Sequence, residues 1–67
     1  MNELPVAAID RIIRKGSNMR VSEKAAKSLA DFLEDKGIKI AQQAAVLARH
    51  ANRKTITEAD IKLSIRE

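Results

Sequence analysis

An all-α fold of one short helix, one long helix and one short helix is what this 67-residue chain predicts, and three observations carry it. A four-residue pattern occurs twice, as Arg20-Val21-Ser22-Glu23 and, thirty-five residues later, as Thr55-Ile56-Thr57-Glu58. In each copy a polar and a β-branched residue precede a hydroxyl that can cap a helix and an acid suited to that helix's first turn. The stretch between the copies has no Pro, and its apolar residues recur at helical spacing. Ahead of the first copy, Pro5 and Gly16 bracket a further run with the same periodicity.

Pro5 suits the first position of a helix, where its missing N–H costs nothing, and Val6, Ile9, Ile12 and Ile13 follow on one face. The first helix is therefore expected from about Pro5 to Lys15, with Gly16-Ser17-Asn18 as its stop. From Ser22 to about Ala51, Ala25, Leu29, Leu33, Ile40, Ala44, Leu47 and Ala51 trace an apolar face that Phe32, Ile38 and Ala41 widen. A single helix over that range is roughly 45 Å long at ~1.5 Å per residue, too long to be covered by two short helices of the same chain. Gly37 falls at its middle, where Gly costs about 1 kcal/mol relative to Ala. Two readings compete: a break at Gly37 that makes a compact monomeric bundle, or an unbroken helix whose missing side chain admits a second copy. The unbroken apolar face on either side favours crossing. Asn52, which tolerates the left-handed conformation, ends the helix. Thr57 opens the third helix, with Asp60 at capping-box spacing and Ile61, Leu63 and Ile65 continuing to about Glu67.

One domain covers residues 1–67, without a linker or low-complexity tail, and a core of this size is marginal alone. The chain has no Cys, so neither disulfides nor a thiolate zinc site can supplement it, and His50 alone cannot build a metal site. No cofactor is expected, and self-association is the remaining ordinary route to stability. The chain starts without a basic-then-apolar export signal and nowhere approaches the ~18 continuous apolar residues of a membrane span. A soluble, cytoplasmic protein fits these features and the absence of Cys.

Thirteen Lys and Arg against nine Asp and Glu give +4, and the distribution of that excess is more telling than its size. Arg11, Arg14, Lys15 and Arg20 face only Glu3 and Asp10, and Arg49, Arg53 and Lys54 stand unopposed within residues 49–54. Between them Lys24, Lys27, Lys36 and Lys39 are balanced by Glu23, Asp31, Glu34 and Asp35, and read as solvent-facing charges. The excess belongs to the first helix and the two loops, the distribution expected of a nucleic-acid contact surface. No nucleophile–base pair, metal cluster or phosphate loop is visible, so an enzyme with a small-molecule substrate is not expected. One Phe without Tyr or Trp offers no stacking platform for single strands.

Three segments together resemble the archaeal-type histones over essentially the whole chain: Glu3-Leu4-Pro5 before Ile9-Asp10-Arg11-Ile12-Ile13-Arg14, then Arg20-Val21-Ser22, then Leu47-Ala48-Arg49-His50-Ala51 leading into Arg53-Lys54-Thr55-Ile56. The resemblance implies the histone fold, a tail-less chain, and a head-to-tail handshake homodimer. Its long helices would cross around Leu29, Leu33, Gly37 and Ile40. The loop after helix one of each partner would lie beside the loop before helix three of the other, pairing Arg20-Val21 with Thr55-Ile56 as a short parallel bridge. A heterodimer with another histone stays open.

The partner so implied is double-stranded DNA, wrapped and compacted with little sequence preference at the chromosome (nucleoid). Each paired-loop site would offer Arg20, Arg53, Lys54, the Thr55 hydroxyl and main-chain N–H groups to phosphates, with Arg20 entering the minor groove. A central site from both first helices would use Arg11, with Arg14 and Lys15 as outer contacts. Leu47, His50 and Asp60 would meet their counterparts in a second dimer and extend the assembly into higher oligomers along DNA. Arg53 and Asp60 would form a surface salt bridge that orients the loop rather than stabilising the fold. Gly16 stands one position earlier than in many relatives, Asn52 replaces a common Gly, and Lys36 sits beside the crossing. A runner-up of another class is a histone-fold interaction module, such as a transcription-factor subunit that uses the fold chiefly to dimerise.

Overall fold

The computed structural model describes residues 4–66, in which three helices follow one another: α1 (Val6–Ser17), α2 (Glu23–His50) and α3 (Glu58–Ile65). Among those residues no helix is long and apolar enough to cross a membrane. The expected end of the third helix at Glu67 lies outside the described residues; α3 closes with Arg66 in an extended conformation.

Each helix end has an identifiable chemical cause. Pro5 sits one position before α1 rather than inside it, with φ −65° and an extended ψ of 116°. Its carbonyl accepts the first helical bonds, from Ala8 at 3.1 Å and Ile9 at 3.3 Å. The expected stop at Gly16 is a correction: α1 runs through Gly16 and Ser17, and Asn18 turns left-handed at φ 62°. Asn18 donates its N–H to the Arg14 carbonyl at 2.7 Å, which satisfies an otherwise orphaned acceptor. The Ser17 hydroxyl closes another by donating to the Ile13 carbonyl at 2.7 Å. Asn can take the left-handed turn itself, so the helix need not end at its glycine.

At the start of α2, the Ser22 hydroxyl accepts the Ala25 N–H at 3.0 Å, as a capping serine should. The helix continues through Gly37 without a break. It ends in a Schellman turn: Asn52, at φ 59°, donates to the Arg49 carbonyl and Arg53 to the Ala48 carbonyl, both at 2.9 Å. A Cβ added at Gly37 would meet nothing within 4 Å, so the chain's own packing does not require that glycine.

Two compact units divide the chain, Met1–Asp35 and Lys36–Glu67. In the first, Ile9 of α1 packs with Ala26 and Ala30 of α2, flanked by Leu4, Val6, Ile13, Val21 and Leu29. In the second, Ala44, Ala48 and Asp60 are buried. The expected apolar face of α2 is therefore shifted. Ala26, Ala30, Ala44 and Ala48 form the buried stripe, whereas Ala25, Leu33 and Ala51 are exposed and Leu29, Ile40 and Leu47 half-buried. Alanine lets a neighbouring backbone approach closely, which is why the small residues face the chain's own packing. Among the described residues, the buried apolar set is Ile9 plus four alanines, while Ile12, Phe32, Ile38, Leu63 and Ile65 are each at least half exposed. So little buried volume for so much exposed apolar surface marks a subunit that completes its core with a partner.

Candidate nucleic-acid interface

The loop between α2 and α3 is organised by one guanidinium. Arg53 forks onto Asp60, from Nη1 to Oδ2 at 2.7 Å and from Nη2 to Oδ1 at 2.9 Å, and Nη1 also donates to the Thr55 carbonyl at 3.0 Å. Asp60 in turn accepts the Thr57 N–H at 2.9 Å, and Thr57 Oγ1 accepts the Asp60 N–H at 3.4 Å, completing the capping box expected from the sequence. The Arg53 fork first, and then the Thr57 N–H, hold the Asp60 carboxyl well below the usual carboxylate range. The salt bridge is not the surface pair expected: Asp60 is only 4% exposed. A buried carboxylate with every strong donor supplied from its own loop fixes that loop's shape. Lys54 and Thr55, between Arg53 and the capping residue, are consequently presented outward, and both are exposed.

The loop before α2 carries Arg20, also exposed, between the left-handed Asn18 and the capping Ser22. Along α1, Arg11, Arg14 and Lys15 all reach solvent, but not alike. Arg14 is paired one turn back with Asp10, while Arg11 and Lys15 line one shallow groove with Ala8 and Ile12. Arg11 and Lys15 are thus brought together, and Arg14 is committed elsewhere. At the end of α2, His50 is exposed and Leu47 half-buried, the latter in a groove shared with Gln43, Val46 and Leu63. The carboxylate of Asp60, the third residue expected at that surface, is engaged by Arg53 and Thr57. Val46 falls off the α2 face that the periodicity emphasises, and Leu63 is read from the sequence only as part of the third helix, not as lining a groove with Leu47.

Three helices in the order short, long, short, with exposed cations at both loops and uncovered apolar surface, are the arrangement of the histone-fold class. The chain belongs to the family described as histone-like transcription factor (CBF/NF-Y) and archaeal histone, which matches residues 2–65. It is 50% identical over 66 residues to a protein of Thermococcus zilligii named as one of the subunits of archaeal histone HAN1. It is 46% identical over 66 residues to a probable archaeal histone 3 of Methanocaldococcus jannaschii, and each match covers 98% of both chains. The protein is an architectural DNA-binding histone and not an enzyme. Dimerisation through the histone fold and association with chromosomal DNA follow from that membership.

Proposed function

We propose that the chain, as one domain over residues 1–67, forms a handshake homodimer that wraps and compacts duplex DNA in the nucleoid with little sequence preference. The observation that supports this best is the rigid second loop: Arg53, clamped to Asp60 and to the Thr55 carbonyl, holds Lys54 and Thr55 outward in one shape. Preorganised donors bind phosphate without first losing conformational freedom. In the dimer, Arg20 of one copy joins Lys54 and Thr55 of the other, with Arg53 behind them, and the Arg20-Val21 and Thr55-Ile56 segments pair. Arg11 and Lys15 form the central contact, and Arg14 joins when phosphate replaces Asp10. The long helices cross around Leu29, Leu33, Gly37 and Ile40, where the open space at Gly37 admits the second helix.

Three contact regions at successive inward-facing minor grooves, about 10.2 bp apart, give each dimer a span of roughly 30 bp. Leu47, His50 and Asp60 form the edge at which dimers extend along DNA. Duplex binding measured against salt tests the reading, because each neutralised phosphate contributes about −0.9 to the slope of log affinity against log salt. A steep slope with nuclease protection growing in ~30 bp steps is the expected result. A flat slope overturns wrapping and leaves an interaction module that uses the fold to dimerise.

A further inference from the structure

Met19 is the most open of the large apolar side chains among the described residues, 69% exposed. A single exposed apolar residue is ordinary on a protein surface, but Met19 is set apart by how it is held. The loop between α1 and α2 is anchored on both sides of it. Before it, the left-handed Asn18 donates its N–H to the Arg14 carbonyl, and the Met19 N–H itself goes to the Ser17 hydroxyl oxygen at 3.3 Å. After it, Val21 packs against the cluster of Ile9, Ala26 and Ala30, and Ser22 caps α2. Met19 and Arg20 are what remains between the anchors. The chain's own packing takes Val21 and leaves the longer apolar side chain outside, next to a cation.

The surroundings of Met19 select its partner. Residues 14–20 are all exposed and carry Arg14, Lys15 and Arg20 without an acid. Asp10, one turn back, is already paired with Arg14, and among the described residues neither Lys15 nor Arg20 makes an ion pair. An apolar side chain set among unopposed cations fits a polyanion that also offers apolar surface. Duplex DNA is such a polymer, because sugars line the minor groove between its two rows of phosphates.

We propose that Met19 is a DNA contact in its own right, its thioether lying against the deoxyribose wall of the minor groove that Arg20 enters. The inference rests on that reading of Arg20, and divides the paired-loop contact into a charged part that weakens with salt and an apolar part that persists. Neighbouring Cα atoms are about 3.8 Å apart, so both side chains start within reach of one groove. The chain bends at Met19, so the alternation of a strand does not carry it to the face opposite Arg20. A flexible, unbranched thioether can follow the sugars of any sequence, which suits binding with little base preference.

Met1 and Met19 are the chain's two methionines, so protein carrying ¹³C only in its methionine methyls gives two methyl signals, which a Met19→Gln variant assigns. In a saturated complex with a duplex of roughly 30 bp, the Met19 methyl should show contacts to deoxyribose protons. A complex that forms without those contacts overturns the inference and leaves wrapping standing; failure to bind the duplex at all overturns both. Salt separates the two residues. Met19→Gln should weaken duplex binding about three- to tenfold, by the same factor at low and high salt, and Met19→Leu should restore most of the loss. Arg20→Gln should instead flatten the salt slope. Unchanged affinity in Met19→Gln, or a flattening equal to that of Arg20→Gln, removes the apolar contact.

Discussion

In the loop leading into α2, the Ser22 hydroxyl accepts one N–H from Ala25 and no side chain answers from the third helical position. In the loop leading into α3, Thr57 and Asp60 exchange bonds in both directions, and Arg53 clamps the carboxylate from the other side. The sequence repeat aligns these loops residue by residue. Shifted by thirty-five positions, Asp60 corresponds to Ala25 and Arg53 to Asn18. The helix-start chemistry is duplicated; the clamp is not. One loop is therefore built around a buried carboxylate, while the other presents Arg20 between its two helix caps. In the proposed paired-loop site, that division supplies a fixed cradle for the DNA backbone and a freer arginine for the groove.

The largest effect should come from removing the clamp. Asp60→Asn cannot take the Arg53 fork as a carboxylate does, so its melting temperature should fall further than that of any single capping variant, as followed by circular dichroism. The acid response sharpens the point. A carboxyl whose pKa is lowered by folding contributes its stability above the unfolded value of about 3.9, and loses it as pH falls from there toward the folded value. Wild type should thus lose stability steeply below about pH 4, and Asp60→Asn should lack that part of the slope. An identical acid slope in both proteins would show the clamp to be energetically idle.

Next come the exposed cations, which should alter binding and leave folding alone. Arg20→Gln and Lys54→Gln should weaken binding to all duplex sequences alike and flatten the salt slope by about 0.9 for each phosphate no longer neutralised. A change in melting temperature comparable to that of Asp60→Asn would break the distinction between presenting residues and clamping ones. The smallest effects belong to the caps. Ser22→Ala should cost about 1 kcal/mol. Ala25→Asp, which supplies the first loop with the missing half of a capping box, should stabilise by roughly 0.3–1 kcal/mol, a shift of a few degrees. No gain from Ala25→Asp would mean that more than the missing carboxylate separates the loops.

Much of this was legible in the residues. Ser22, Asn52 and the Thr57–Asp60 pair act as their side chains predict, because capping is local chemistry within a few residues of backbone. The stop of α1 was misplaced for an instructive reason: Gly16 and Asn18 are both competent, and only the bond from Asn18 to the Arg14 carbonyl decides between them. The buried face of α2 was misplaced for another. Alanine and leucine both count as apolar in a periodic pattern, so periodicity cannot tell the stripe that serves the chain's own packing from the one left exposed. Asp60 as a buried rather than surface partner was illegible, since its burial depends on how α3 returns toward the end of α2.

The alanine stripe has a consequence for how the protein behaves as its supply changes. A protomer whose buried apolar set, among the described residues, is Ile9 and four alanines gains much of its cohesion by association, so folding and dimerisation become one equilibrium governed by mass action. For such a coupled dimer, each tenfold dilution removes about 1.4 kcal/mol of apparent stability. Free chains at low abundance are then the most exposed to proteolysis, and pairing removes that exposure. The amount of this histone in the cell is in that sense also a setting of its lifetime.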